Sequence, residues 1–86
     1  MRAADILPHQ EVEVWNITNG KRVQTYAIPG AEDSGVVCLN GAAARKVAVG
    51  DLIIVAAYGW LKEHEAVTRE PRIVKVDLQN RITETN

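Results

Sequence analysis

Residues 15–28 read WNITNGKRVQTYAI, with Asn19-Gly20 lying between two runs in which apolar and polar side chains alternate. Alternation with a period of two indicates strands, and Asn-Gly is a strong signal for a tight turn because both residue types tolerate a positive φ. The stretch therefore predicts a β-hairpin, with one arm over residues 11–18 and the other over residues 21–28. A two-residue turn would place Ile17 opposite Arg22.

The alternation also divides the hairpin into two faces. We assign one face to the core, and it carries Val12, Val14, Val23, Thr25 and Ala27. The other face carries Trp15, Ile17, Arg22, Gln24 and Tyr26. This second face is apolar for a surface in contact with water, and such patches are often covered by a partner. We therefore expect an oligomer that buries it.

The rest of the chain predicts more short strands and a few helical turns. Strands are expected at residues 36–39 and 52–58, the second of them central and covered on both sides. Residues 73–78 and 81–85 flank Gln79-Asn80 as a second hairpin, and helical segments are expected at residues 1–7, after Asn40, and at residues 61–67. We expect one domain over residues 1–86, a small closed or nearly closed β structure, because closure removes exposed sheet edges.

Composition excludes several functions. The net charge of −1 and the pI near 6.1 give no reason to expect a nucleic-acid partner, since domains that bind nucleic acid usually carry a basic face. The apolar run at 52–58 is far shorter than the ~20 residues of a membrane helix. No signal peptide is recognisable. The single Cys38 fits a reducing cytoplasm and is expected to be buried. His9 and His64 lack the spacing of metal ligands, so no metal is expected.

Two short segments carry candidate chemistry. Arg22, Thr25 and Tyr26 offer a cation, a hydroxyl and a phenol within five residues, which suits a small carboxylic acid. Asn40-Gly41-Ala42-Ala43-Ala44 offers unobstructed backbone amides, which converge on an anion if Asn40 opens a helical turn. Each segment also has a structural alternative. Arg22 would lie over the ring of Trp15 or Tyr26, Tyr26 would be an interface or half-buried aromatic, and the second segment would be an ordinary Gly-Ala turn.

Taken together, the hairpin and the Asn40–Ala44 segment resemble the pyruvoyl-dependent aspartate α-decarboxylases. The resemblance implies a six-stranded double-psi β-barrel, a cytoplasmic homotetramer and active sites between protomers. It implies conversion of L-aspartate to β-alanine and carbon dioxide for pantothenate synthesis. In this family a precursor cuts itself at a Gly-Ser bond, and the serine becomes a pyruvoyl group that forms a Schiff base with the substrate amine.

The resemblance also implies roles for individual residues. Tyr26 would be the catalytic proton donor and Arg22 would bind the substrate carboxylate, while Thr25 would position the substrate and assist the cleavage. The donors around the substrate would come from Asn40, Gly41, Ala42 and Ala43. In a regular strand, however, Thr25 faces away from Arg22 and Tyr26, which lie ~13 Å apart. A shared site needs a twist, a bulge or two subunits.

The chain departs from the family at the cleavage site. It contains no Gly-Ser pair, and its only serine, Ser34, follows Asp33 and cannot be that nucleophile. We expect a larger processed chain lacking its N-terminal residues, partnered by a small N-terminal chain and inactive alone. A gene begun at an internal methionine, or a short relative that has lost the chemistry, would account for the same departure. The contrasting hypothesis is a non-catalytic β-barrel module that serves assembly or binding.

Overall fold

The computed structural model describes residues 1–86 and is mainly β, as predicted. Its five strands are β1 (Glu11–Asn16), β2 (Arg22–Tyr26), β3 (Ile53–Ala56), β4 (Val74–Val76) and β5 (Ile82–Thr85). Two 3₁₀ helices cover Arg2–Ala4 and Gly41–Lys46, and the α-helix α1 covers Glu63–Ala66. No helix has both the length and the apolar character needed to cross a bilayer.

The strands form two antiparallel sheets. Three strands pair in the order β2-β1-β3, and β4 pairs with β5 in a separate two-stranded sheet. Small antiparallel sheets of this kind are consistent with a small β-barrel, although these five strands do not close into the expected six-stranded barrel. The prediction that residues 52–58 form the central strand is wrong. β1 is central and β3 lies at an edge, because an apolar run signals burial but does not say which strands pair with it.

The first hairpin does not turn at Asn19-Gly20 in the expected way. The backbone carbonyl of Asn16 accepts a hydrogen bond from the amide of Gly20, and the backbone amide of Asn16 donates to the carbonyl of Lys21, each at 2.8 Å. Residues 17–20 thus form a four-residue loop instead of a two-residue turn, and of Asn19 and Gly20 only Gly20 has a positive φ, at 76°. The predicted register is therefore wrong by two residues, and Trp15 rather than Ile17 lies opposite Arg22.

The predicted core face is nevertheless correct, because a shift of two residues keeps every side chain on the same side of the strand. Val12 and Val14 are each only 4% exposed. Their neighbours on β2 and just after it, Val23, Thr25 and Ala27, are half-buried.

The side chain of Asn16 connects three parts of the molecule. It is only 3% exposed, and its Oδ1 accepts hydrogen bonds from the amides of Thr18 and Asn19 in the hairpin loop. Its Nδ2 donates to the carbonyl of Lys46 at 3.0 Å and to Oδ2 of Asp51 at 2.8 Å. One amide thus holds the loop, the end of the second 3₁₀ helix and the turn before β3.

Residues 36–39 are not a strand, and this prediction is wrong. The segment is irregular, and Val36, Val37 and Cys38 are all exposed, so the expected burial of Cys38 is also wrong. A run of four apolar residues between two turn-forming segments is too short to show whether a neighbouring strand pairs with it. The predicted hairpin around Asn80 and the short helix with an exposed His64 are confirmed.

Few side chains in the chain are buried. Only Ile6, Val12, Val14 and Asn16 are fully so, while many large apolar residues are exposed. A chain with this little buried apolar surface has little hydrophobic stabilisation of its own.

The Asn16 network predicts a stability effect. Asn16→Ala removes a buried amide that bonds two loop amides, the Lys46 carbonyl and the Asp51 carboxylate, and we expect it to lower the free energy of unfolding by about 2 kcal/mol. Urea denaturation followed by circular dichroism measures the change. Asn19→Ala is the matched control, because that exposed amide also bonds the Lys46 carbonyl, and it should cost less. Equal losses in the two variants would contradict a special role for Asn16.

Asp51 predicts a pH effect. Hydrogen bonds from the Ala48 amide and then from Asn16 hold the pKa of the Asp51 carboxyl below its usual range, against a smaller effect of burial. A lowered folded-state pKa stabilises the fold above the unfolded pKa, and this contribution is lost as the pH falls through the folded value. Unfolding measured from pH 6 to pH 2, roughly spanning the carboxyl range, should show acid destabilisation that Asp51→Asn reduces. Asp33→Asn, at an exposed carboxylate, should leave the acid destabilisation unchanged.

Candidate functional site

The strand β2 presents candidate side chains on both of its faces. Arg22, Gln24 and Tyr26 share the open face, whereas Thr25 lies on the half-buried core face opposite Val12. Arg22 and Tyr26 are four residues apart, which is ~13 Å along a strand. A single copy of the chain therefore brings Arg22 and Tyr26 to one surface but does not bring them or Thr25 to one point.

The guanidinium of Arg22 lies over Trp15, its neighbour across the sheet. The Arg22 Cζ is 4.6 Å from the centroid of the ring, which is cation–π geometry. Glu13 lies on the same face, and its Oε1 accepts a 2.6 Å hydrogen bond from Nε1 of Trp15 while lying 3.7 Å from Nη1 of Arg22. Stacking on an aromatic ring, the structural alternative for Arg22, is thus its arrangement in this chain. None of its N–H groups makes a hydrogen bond within the chain, and 64% of its side chain is exposed.

A shallow groove runs beside Arg22 at the end of the hairpin. Its apolar walls come from Trp15, Ile17 and Ile54, and Lys21 and Arg22 contribute two cations. A groove with this lining suits a small molecule that carries negative charge.

Tyr26 lies at the far end of β2, opposite Glu11. Its side chain is half exposed, and its ring centroid is 6.3 Å from that of His9. The segment before β1 holds His9 there, because its backbone amide donates to the carbonyl of Ala27 at 2.7 Å. The phenol oxygen of Tyr26 has no hydrogen-bond partner in the chain, so it is free to donate to a ligand.

The second 3₁₀ helix packs beside β2 and brings the Asn40–Ala44 segment close to it. Asn40 opens this helix, as predicted, but its side chain does not cap it and instead lies 3.2 Å from Sγ of Cys38. Gly41 has a φ of 63°, a left-handed conformation that favours glycine. The amides of Gly41 and Ala42 donate to no acceptor within the chain. They are therefore open to an outside acceptor.

Sequence reasoning missed two residues that organise this region, Glu13 and Asn16. It named the rings of Trp15 and Tyr26 as alternative partners of Arg22, and the structure shows Trp15 in that place. Alternation already placed Glu13 and Trp15 on one face, two residues apart. Placing Trp15 directly opposite Arg22 required the correct register, which the four-residue loop at 17–20 changed. No group of three or more His, Cys, Asp or Glu residues is placed to hold a metal ion.

Comparison with known proteins identifies a matching family and several relatives of this chain. The aspartate decarboxylase family matches residues 1–83. The chain is 54% identical over 83 residues to the aspartate 1-decarboxylase of Moorella thermoacetica, covering 96% of this chain and 65% of that protein. It is 51% identical over 82 residues to that of Listeria monocytogenes serovar 1/2a, covering 95% of this chain and 65% of the relative. The protein of the same name from Laribacter hongkongensis is 48% identical over 84 residues, covering 98% of this chain and 66% of that protein.

These matches extend over nearly the whole chain and include both β2 and the Asn40–Ala44 segment. The chain spans about 65% of the length of the curated relatives it matches. It belongs to the aspartate decarboxylase family.

Proposed function

We propose that the protein containing this chain decarboxylates L-aspartate to β-alanine and carbon dioxide, with a covalent pyruvoyl group, in pantothenate synthesis. One observation carries the proposal: the family match over residues 1–83 includes a strand that presents, on one surface, a guanidinium and a phenol whose donors make no hydrogen bond within the chain. The contrasting hypothesis, a non-catalytic assembly module, has less support because relatives at about 50% identity bear the name of the enzyme. Cytoplasmic location is part of the proposal, since the pathway is biosynthetic.

The chain's own residues suit a small ketoacyl group and a dicarboxylic amino acid. The Tyr26 phenol and the amides of Gly41 and Ala42 have no hydrogen-bond partner within the chain. The Arg22 guanidinium contacts Trp15 and Glu13, but its N–H groups make no hydrogen bond within the chain. The pyruvoyl carbonyl supplies an electron sink for the loss of carbon dioxide. These 86 residues contain no Gly-Ser pair, so we propose that the pyruvoyl group forms from a serine outside them.

The resemblance to the family implies a role for each candidate residue, and the chemistry of each side chain suits that role. Arg22 binds a substrate carboxylate through two parallel N–H donors. Tyr26 donates a proton to the substrate carbon that loses its carboxylate, which is general-acid catalysis. Thr25 positions the substrate and assists the cleavage of the precursor. The remaining donors around the substrate are those of Asn40, Gly41, Ala42 and Ala43.

The separation of these groups within one chain supports a site shared between copies. Thr25 lies on the opposite face of β2 from Arg22 and Tyr26, and Ile17 and Tyr26 leave more than half of their surface exposed. Exposed apolar surface of this kind is typical of an interface. We propose a homotetramer that also contains the small N-terminal chain, with residues of neighbouring protomers completing each site.

Removing the phenol of Tyr26 tests its catalytic role. Tyr26→Phe keeps the ring but removes the proton donor, and we expect turnover of L-aspartate to fall by roughly 10² to 10⁴-fold. Carbon dioxide release by the processed enzyme is the measurement. Tyr58→Phe is the matched control, because Tyr58 is the other exposed tyrosine and has no proposed role. Wild-type turnover by Tyr26→Phe would exclude Tyr26 as the donor.

The intact mass of the natural protein tests the cofactor. A processed enzyme should give two chains, the larger one beginning with a pyruvoyl group, and treatment with borohydride should raise the mass of that chain by about two hydrogens as the ketone is reduced. The 86-residue chain alone should release no carbon dioxide from L-aspartate. A single unprocessed chain in an active preparation would overturn the proposed cofactor.

Charge introduced at Ile17 tests the proposed interface. Ile17→Glu places a carboxylate on the exposed apolar face, and burying an unpaired charge between protomers is costly. We expect light scattering to show dissociation of the assembly. Ile17→Val keeps the surface apolar and should leave the assembly intact, and a Glu variant with unchanged mass would place the interface elsewhere.

A further inference from the structure

Two residues with no role in the proposed reaction surround the guanidinium of Arg22. We propose that Glu13 and Trp15 are positioning residues: together they hold the N–H groups of Arg22 open for a carboxylate, and the charge of Glu13 sets how tightly that carboxylate binds. This inference rests on the proposed function only in taking Arg22 as the carboxylate-binding group.

Trp15 fixes the position of Arg22. The two residues are directly opposite each other on β1 and β2, and the Arg22 Cζ lies 4.6 Å from the ring centroid. An arginine side chain in water occupies many rotamers, and stacking on an aromatic face selects those with the guanidinium over the ring. A cation–π contact uses none of the N–H donors of the guanidinium, so the groups that match a carboxylate stay free.

Trp15 also restrains Glu13. The indole N–H donates a 2.6 Å hydrogen bond to Oε1 of Glu13, and the Glu13 side chain is only 24% exposed. The same oxygen lies 3.7 Å from Nη1 of Arg22, which is an ion pair but too long for a hydrogen bond. An unrestrained glutamate at this position could form a bidentate pair with Arg22 and occupy both donors. The tryptophan N–H therefore keeps the nearest carboxylate of the chain away from the edge of the guanidinium.

The arrangement has a consequence for binding. A carboxylate arriving from the groove beside Lys21 meets an ordered guanidinium with free donors, but it also meets the negative charge of Glu13. The first effect favours binding, and the second weakens it by like-charge repulsion. Glu13 thereby limits the affinity for a dicarboxylate, which helps the release of a carboxylate product from the same arginine.

Succinate provides a probe, because it carries the two carboxylates without the reactive amine. Isothermal titration calorimetry of the natural assembled protein should show succinate binding that Arg22→Gln weakens by about tenfold or more. Glu13→Gln keeps the shape of the side chain and removes its charge. We expect it to tighten succinate binding about two- to fivefold, the range typical of an exposed charge pair.

Glu84→Gln is the matched control. Its carboxylate lies 3.7 Å from Nζ of Lys75 in the other sheet, the same separation as in the Glu13 and Arg22 pair, and its loss changes the net charge equally. Succinate affinity should not change in this variant. A gain in Glu84→Gln equal to that in Glu13→Gln would show an effect of net charge alone and would overturn the proposal.

A double-mutant cycle tests the restraint by Trp15. Trp15→Phe keeps an aromatic face for Arg22 but frees Glu13 to pair with it, so succinate binding should weaken about two- to fivefold. In a Glu13→Gln background the same change should have a smaller effect, because no second carboxylate competes. Thermal melts of every variant check folding. If Trp15→Phe unfolds, the succinate affinity of Glu13→Gln alone tests the proposal.

The outcomes separate this inference from the proposed reaction. Succinate affinity that is the same in Glu13→Gln and wild type, or no succinate binding at all, would overturn the roles of Glu13 and Trp15. The other outcome is succinate affinity that rises in Glu13→Gln while the protein releases no carbon dioxide from L-aspartate. It would support those roles and overturn the proposed activity.

Discussion

The hydrogen bonds of one buried amide determine how the functional segments are arranged. Asn16 lies at the end of the central strand, and its side chain bonds the hairpin loop, the carbonyl of Lys46 and the carboxylate of Asp51. A buried amide with all of its partners is stabilising and specific, whereas one that has lost them is costly. The strand β2 begins after that loop, and the 3₁₀ helix Gly41–Lys46, which contains most of the Asn40–Ala44 segment, ends at Lys46. The same network therefore orders both candidate segments.

The sequence predicted the two faces of the hairpin but not its register. Alternation in β1 and β2 is strict, so the burial of Val12 and Val14 followed from the pattern. The turn was predicted from Asn19-Gly20 alone. Two side-chain acceptors decide it instead: Asn16 Oδ1 accepts from two loop amides and Asn19 Oδ1 accepts from the amide of Lys21, which favours a four-residue loop over a two-residue turn. The same two side chains also donate to the carbonyl of Lys46, about 30 residues away, and local pattern rules do not include such a partner.

For the candidate residues, the sequence predicted the shared face and the start of the short helix but not the contacts between side chains. Arg22 and Tyr26 do share a face, as alternation required, and Asn40 does open a short helix. The contacts of Arg22 with Trp15 and Glu13 depended on the register and were not predicted as a group. The segment at 36–39 shows the same limit, because apolar character predicts that a surface will be covered but not which part of the protein covers it.

The order of strands also has a consequence for how this chain behaves when it is concentrated. With β1 in the middle, both β2 and β3 carry one side on which no strand pairs with the backbone. A row of unpaired N–H and C=O groups is a template on which other chains add strands. Folding of the isolated chain therefore competes with edge-to-edge aggregation, and β2 is exposed to that competition together with the arginine and the tyrosine it carries.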